Sequence, residues 1–146
     1  MNVLKLGLIS AVVFSVILFL MSLLIPSTVR ISRAIDIYGK DVDRQIADLG
    51  SWPGWNELYN DSARISILRT DTNFIETIWE YKGNKVSGNF KLEHSAGITV
   101  VQWYFDFKLK WYPWEKFGSI IFDKQFGPPM ERSLNKLKKL VEHELP

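Results

Sequence analysis

The stretch VSGNFKLEHSAGITVVQWYFDFKL, residues 86–109, decides the fold because apolar and polar side chains alternate along it. In residues 86–94 the apolar face carries Val86, Phe90 and Leu92. In residues 99–109 one face holds large apolar side chains only, namely Val101, Trp103, Phe105, Phe107 and Leu109. A period of two is typical of half-buried strands, and Ser95-Ala96-Gly97 supplies a turn between them. The stretch predicts an antiparallel hairpin.

The same alternation extends towards the N-terminus. Residues 63–70 and 73–81 predict two more strands, and residues 82–85 predict the hairpin turn that joins the second of them to the strand at 86. The segment TVRISRAIDI, residues 28–37, alternates in the same way. Sequential strands joined by short turns favour an antiparallel meander, so we expect a sheet of about five strands.

Helical patterns flank these strands. Residues 41–49 predict a short helix with Asp41 as its cap, and Ser51 is the predicted cap of a second short piece. Residues 115–126 predict another short helix, and Gly127-Pro128-Pro129 is the expected start of the last one. In that last helix apolar residues recur at helical spacing, at Met130, Leu134, Leu137, Leu140 and Val141. The fold class is therefore α+β.

The N-terminus is a different kind of sequence. Residues 6–25, LGLISAVVFSVILFLMSLLI, carry no charge, and as a helix they would span about 30 Å, the thickness of a bilayer core. A cleaved signal peptide has a shorter apolar region that ends in small residues, so an uncleaved anchor is favoured. We predict a transmembrane anchor at 1–26 and a domain at 27–146, which a short connection would hold close to the membrane.

Composition leaves orientation open and excludes some functions. Counting Lys and Arg on each side of the apolar run favours a cytoplasmic domain, whereas a short basic tail before a long run is typical of a signal anchor that exports its C-terminus. Export is slightly favoured. A formal net charge of +2 over 146 residues gives no support for nucleic-acid binding. The chain has no cysteine, which excludes disulfides and a lipoprotein anchor.

Three further stretches carry a family resemblance: LIPSTV (24–29), DLGSWPGW (48–55) and DKQFGP (123–128). They resemble the junction, the central segment and the C-terminal helix of small, membrane-anchored bacterial members of the SRPBCC superfamily. That superfamily includes START domains and polyketide cyclase-like proteins. The resemblance implies a helix-grip fold, in which a curved antiparallel sheet wraps a long C-terminal helix. It also implies a location in the bacterial inner membrane.

The resemblance further implies a pocket for a lipid or another hydrophobic small molecule between sheet and helix. The candidate lining residues are Arg33, Trp79, Phe90, Leu92, Trp103, Phe105, Met130 and Leu134. The alternative is that these side chains fill the core of a ligand-free structural or interaction domain. About seventeen residues separate Trp55 from the strand at Asn73, fewer than such proteins usually have. The sheet is therefore expected to be shortened, which reduces the volume available to a ligand.

Little in the sequence indicates an enzyme. Arg33 lies on the apolar face of its strand, so an ion pair with an acid, or a place at the open end of the strand, is favoured over a role in ligand binding. His94 ends an apolar row, where an edge-exposed or structurally bonded side chain is the commoner case. No H-E-x-x-H, G-x-S-x-G or phosphate-loop motif is present. We therefore predict no catalytic residues, no metal and no cofactor, and a cyclase-type activity is the least favoured function.

An aromatic cluster near a proline allows two interpretations. It consists of Tyr104, Trp111, Tyr112 and Trp114. Trp and Tyr favour membrane interfaces, so the cluster could rest on the bilayer surface. It could equally pack under the predicted helix at 115–126. Packing is favoured, because a small domain needs its large side chains in the core.

Overall fold

The computed structural model describes residues 2–60, 63–81 and 83–143. Its helices and strands follow one another in this order: α1 (Val3–Ser22), β1 (Thr28–Tyr38), α2 (Val42–Ala47), a 3₁₀ segment (Leu49–Gly54), β2 (Arg64–Asp71), β3 (Phe74–Tyr81), β4 (Asn84–Ser95), β5 (Ile98–Lys108), α3 (Pro113–Gly118), a 3₁₀ turn (Ser119–Ile121) and α4 (Phe122–His143). The strands follow the predicted alternation closely.

The chain divides into two compact units. The first consists of Met1–Val29 and Lys108–Ile121, and so contains α1 and α3. The second consists of Arg30–Phe107 and Phe122–Pro146. Apart from end residues of β1 and β5, the whole sheet therefore belongs to the same unit as α4.

The sheet has five strands in the order β1-β5-β4-β3-β2. The pairs β2–β3, β3–β4 and β4–β5 are antiparallel. Ala96 and Gly97 both have positive φ angles, 49° and 83°, which is what a two-residue hairpin turn between β4 and β5 requires. The sheet and the long C-terminal helix confirm the predicted α+β helix-grip architecture with a five-stranded sheet.

Strand β2 forms one edge of the sheet and is irregular. Its register with β3 shifts between Ile67 and Arg69, so Leu68 is an extra residue without its own partner. Such a bulge bends the strand and interrupts its hydrogen-bond ladder. The exposed Arg69 forms an ion pair with Asp71 on the same strand.

The C-terminal helix begins earlier than its sequence predicts. The expected start at Gly127-Pro128-Pro129 is wrong, because α4 runs unbroken from Phe122 through both prolines. Each proline removes one helical hydrogen bond. Tertiary packing outweighs this loss: the ring of Phe107 lies 4.9 Å from that of Phe122 and 5.0 Å from that of Phe126. The predicted helix at 115–126 is correspondingly wrong, since these residues divide between α3, the 3₁₀ turn and α4.

The short helical pieces after β1 insert tryptophans into the core. The side chain of Asp48, and not the predicted Ser51, caps the 3₁₀ segment by accepting a hydrogen bond from the Gly50 amide at 2.9 Å. The Asp41 side chain makes no capping bond to α2. Trp52 and Trp55 are completely buried, and Trp52 Nε1 donates to the Ile46 carbonyl at 2.9 Å. The 3₁₀ segment and the residue that follows it thus supply two large aromatic side chains beside the sheet.

Helix α1 is long and apolar enough to span a membrane. It has 20 residues with a mean hydropathy of 2.6, and it is the one such helix in the described part of the chain. The helix begins at Val3 and ends at Ser22, three residues ahead of the predicted run at both ends. Turn-type hydrogen bonds continue the chain through Ile25, whose amide donates to the Ser22 carbonyl at 3.2 Å.

Two residues of the aromatic cluster, Trp111 and Trp114, are exposed, whereas Tyr104 and Tyr112 are half-buried, so the prediction that the cluster packs is wrong for the two tryptophans. Trp111 and Trp114 have 67% and 71% of their surface exposed. The physical reason is the position of the helix, which begins at Pro113 and not at residue 115. Its buried side therefore carries Lys116, and the turn that follows it buries Ser119. The two indole rings are left on the outside.

Candidate functional site: an apolar cavity at one end of the sheet

The inward face of the sheet is filled with aromatic rings over its middle. Phe90 of β4 stacks on its cross-strand neighbour Trp103 of β5 with ring centroids 5.1 Å apart. Trp52 lies edge-on to Phe90 at 5.9 Å, and Trp55 lies edge-on to Trp103 at 6.3 Å. All four side chains are fully buried. This part of the sheet is therefore a closed core.

A boundary to this core is built around Gly88 on β4. Gly88 pairs with Thr77 on one side and Phe105 on the other. A Cβ at Gly88 would lie 2.6 Å from Phe105 Cε1 and 2.8 Å from Trp79 Nε1. The missing side chain lets both rings close over the strand, with centroids 5.3 Å apart. Trp79 Nε1 donates to Thr77 Oγ1 at 3.0 Å, and Thr77 Oγ1 donates to the Gly88 carbonyl.

Beyond these rings the inward face opens into a cavity of about 300 Å³ that is partly open to solvent. It is lined by Leu58, Asn60, Ala63, Trp79, Tyr81, Asn84, Val86, Phe105, Phe107 and Phe126. The walls come from strands β3, β4 and β5, from the first turns of α4, and from the chain between the 3₁₀ segment and β2. The volume is at the lower end of the range for small-molecule sites.

The described lining carries no charged side chain. Its polar groups, Asn60, Tyr81 and Asn84, are solvent-exposed, so they mark the mouth of the cavity. Apolar walls with a few polar groups at the entrance are typical of sites that bind apolar molecules and orient one polar end. Because moving a charge out of water without a partner is costly, such a site favours a neutral molecule.

The wall segment after the 3₁₀ segment is tied to α4 through Glu57. Its carboxylate pairs with Arg132 at 2.7 Å and with Lys136 at 2.9 Å. Its amide donates to Ser133 Oγ at 2.9 Å. Hydrogen bonds from Lys136 first, and from Arg132 second, lower the pKa of Glu57. These ties also restrain the adjacent Leu58, which is part of the cavity wall.

The structure brings two of the sequence-predicted residues to the cavity, namely Trp79 and Phe105. Five others are fully buried at or near the closed core: Phe90, Leu92, Trp103, Met130 and Leu134. Glycine inside a strand pattern often marks a close approach of neighbouring groups, so Gly88 was a signal for this boundary. Phe126 and Leu58 carried no such signal, because only the folded chain brings them to the cavity.

Arg33 reaches helix α4 and not the cavity. Its guanidinium pairs with Asp123 at 2.9 Å and with Glu131 at 2.7 Å. Gly127 lies midway between these two acids on α4, and a Cβ there would collide with the Arg33 guanidinium. The hydrogen bond to Asp123, more than that to Glu131, raises the pKa of Arg33, and the same bond lowers the pKa of Asp123. The ion pair expected from the sequence is therefore present.

His94 lies near the C-terminal end of the central strand β4. Its ring nitrogens lie 3.1 Å from Thr99 Oγ1 and 3.2 Å from a carboxylate oxygen of Asp43. The cavity lining does not include it. Within the described residues no group of three or more His, Asp or Glu side chains is arranged to hold a metal ion.

Solved structures resemble this architecture. A START superfamily protein from Mycobacterium smegmatis aligns with a TM-score of 0.59 and 17% identity, over 78% of this chain and 97% of its own. The fold is START-like. For CalU16 from Micromonospora echinospora the TM-score is 0.55 with 16% identity, over 78% of this chain and 73% of its own. The di-domain ARO/CYC protein BexL of the BE-7585A biosynthetic pathway gives 0.54 and 15%, over 78% of this chain and 46% of its own.

No protein-family model and no curated protein matches the sequence. The START-like fold therefore rests on structural similarity alone. Sequence identities of 15–17% do not allow an activity to be transferred from these proteins. Within this START-like domain the cavity lies between the sheet and α4, the place where the helix-grip resemblance predicts a pocket. The kind of ligand that fits the cavity depends on the residues that line it.

The Arg33–Asp123 pair predicts how the START-like domain responds to acid. A carboxylate with a lowered pKa stabilises the folded state above its unfolded pKa of about 4, and this contribution disappears as the pH falls through the folded value. We expect Asp123→Asn to make the free energy of unfolding fall less steeply below about pH 4 than in the wild type. Urea unfolding of residues 27–146 between pH 7 and pH 3 measures this.

The matched control removes the partner. In an Arg33→Met background, Asp123→Asn should cause little further change in acid sensitivity, because the two substitutions remove the same interaction. Equal acid dependence of wild type and Asp123→Asn would contradict the assignment.

Proposed function

We propose that this protein is a membrane-anchored module that binds a neutral, apolar small molecule in the cavity of its START-like domain. The observation that carries the proposal is the cavity itself, about 300 Å³ with apolar walls. Residues 1–26 act as the anchor and residues 27–146 as the binding domain. This assignment is supported by α1, which has the length and hydropathy of a membrane span.

The size of the cavity limits the ligand. Sites for drug-sized molecules run from about 300 to 1,000 Å³, so this cavity suits a small ring system or a short acyl chain and not a whole phospholipid. The exposed amides of Asn60 and Asn84 at the mouth can face a hydroxyl or carbonyl at one end of the ligand. Trp79 and Phe105 offer aromatic surfaces at the other end.

Two solved structures of similar fold bear on the choice between a binding protein and an enzyme. One is a START superfamily protein and another is a di-domain ARO/CYC protein. A cyclase would need acid–base groups within hydrogen-bond reach of its substrate. Tyr81 is the one titratable side chain on the described lining, and it lies at the mouth. Binding without chemistry is therefore the better supported function.

Filling the cavity tests the proposal. Val86 lines it from β4, and Val86→Trp would place an indole inside. The control is Lys85→Trp, which adds the same side chain at the next, exposed position facing the opposite way. We expect residues 27–146 to bind an apolar fluorescent dye, Val86→Trp to weaken the affinity at least about tenfold, or about 1.4 kcal/mol, and Lys85→Trp to leave it unchanged.

Native mass spectrometry of the purified domain would then identify any copurifying molecule. A protein that is repeatedly empty and binds no dye would favour the alternative, a ligand-free structural or interaction domain. Dye binding that is equal in wild type and Val86→Trp would place the binding elsewhere. For the anchor and the side of the membrane, which we propose to be extracytoplasmic in a bacterial inner membrane, protease protection of the full chain in vesicles is the direct measurement.

A further inference from the structure

Besides α1, the first compact unit contains the segment Lys108–Ile121. Two hydrogen bonds fix this segment to the chain that follows α1. The Leu109 amide donates to the Ser27 carbonyl at 2.7 Å, and Lys116 Nζ donates to the Ile25 carbonyl at 3.3 Å. Lys116 is buried although it is a lysine, which shows how closely the segment and the end of α1 pack.

The outer side of this segment is apolar and exposed. The exposed fractions are 67% for Trp111, 71% for Trp114, 64% for Ile120 and 50% for Ile121. Single exposed apolar residues are ordinary on soluble proteins. Four of them within eleven consecutive residues, two of them tryptophans, form the kind of patch that marks an interaction surface.

The chemistry of this patch matches the boundary between lipid tails and water. Tyr112 stacks on Trp114 with parallel rings 4.8 Å apart, and the ring of Trp111 lies 4.8 Å from that of Tyr112 at a tilt of 47°. Tyr and Trp concentrate at membrane interfaces because their rings are apolar and their N–H or O–H groups are polar. Lys108 and Lys110 are exposed, and Lys110 Nζ lies 6.0 Å from the centre of the Tyr112 ring, so these long basic side chains can reach lipid phosphates.

The length of α1 sets the depth of the patch. A helix of 20 residues spans about 30 Å, so if Val3 lies at one face of the hydrocarbon core, Ser22 lies at the other. Ile25 and Ser27 then fall at the level of the lipid headgroups. The segment that is hydrogen-bonded to their carbonyls lies at the same level.

We infer that residues 109–121 form an interfacial segment, which inserts Trp111, Trp114, Ile120 and Ile121 into the headgroup and upper acyl region of the bilayer at the C-terminal end of α1. The inference rests on the anchoring part of the proposed function and is independent of the ligand. The occupant of the patch is lipid, because the segment is joined to a candidate membrane span and carries the aromatic and basic residues of an interface.

The test uses the full chain in phosphatidylcholine vesicles, with tryptophan fluorescence as the readout. Lipids brominated near the glycerol end of the acyl chains should quench the wild-type emission, and aqueous iodide should quench it weakly. A W111F/W114F variant should lose most of the quenching by lipid, since Trp52, Trp55, Trp79 and Trp103 are buried in the other unit. W103F is the matched control and should keep the quenching by brominated lipid.

Carbonate extraction separates this inference from the anchor. A chain that is extracted from the vesicles refutes the anchor, and with it the basis for an interfacial segment. A chain that stays in the vesicles while Trp111 and Trp114 remain open to iodide overturns the interfacial segment alone. Protection from iodide without quenching by brominated lipid would show that a second copy or another protein covers the patch, which also overturns it.

Discussion

Trp52→Ala should lower the free energy of unfolding of the START-like domain by about 3–5 kcal/mol, the usual cost of removing a large buried aromatic side chain. Trp52 is completely buried, and its ring lies within 6 Å of those of Trp55, Trp79 and Phe90. The substitution also removes the hydrogen bond to the Ile46 carbonyl. Denaturant unfolding of residues 27–146, followed by circular dichroism, gives the value.

An exposed tryptophan supplies the matched control for this first prediction. Trp114→Ala deletes the same atoms from a side chain that is 71% exposed, so the expected change is within about 0.5 kcal/mol. Similar losses for the two substitutions would show that Trp52 does not carry the packing described for it.

Gly88→Ala should destabilise the domain by about 1–3 kcal/mol, the range for an overpacked core. The added methyl group would lie 2.6 Å from Phe105 and 2.8 Å from Trp79, so at least one ring has to move. Moving Trp79 also lengthens its hydrogen bond to Thr77. Since both rings line the cavity, apolar dye affinity should fall together with stability.

Gly118→Ala is the control that tests whether the loss of stability in Gly88→Ala comes from steric overlap with neighbouring side chains. A Cβ at Gly118 meets nothing within 4 Å, and alanine is the better helix former, so stability should stay the same or rise slightly. If Gly88→Ala keeps both wild-type stability and wild-type dye affinity, Gly88 does not hold the boundary between the core and the cavity.

The sheet could be predicted from the sequence because its signal is local. Side chains alternate across a strand whatever the rest of the chain does, so residues such as Phe90 and Trp103 reveal their inward face directly. The start of α4 could not be predicted in this way. Pro128 and Pro129 favour a helix start locally, whereas the contacts of Phe122 and Phe126 with Phe107 extend the helix backwards.

The cavity was harder to predict than the fold for a related reason. The sequence shows which side chains face inward but not which of them are covered by a neighbour. Trp52 in the 3₁₀ segment and Trp55 directly after it fill the middle of the inner face of the sheet, and this leaves space at the end that contains Trp79 and Phe105. Which part of the sheet is covered depends on long-range packing, and a periodic sequence pattern does not encode such packing.

The bulged edge strand β2 has a consequence for the proposed anchor, because anchored copies would share one bilayer. Proteins confined to a membrane meet by lateral diffusion, and an open sheet edge can then recruit the edge of another copy into intermolecular β-pairing. In β2 the extra residue Leu68 breaks the ladder, and the charged Arg69 and Asp71 follow it. The irregular strand would therefore discourage edge-to-edge pairing of anchored copies through β2.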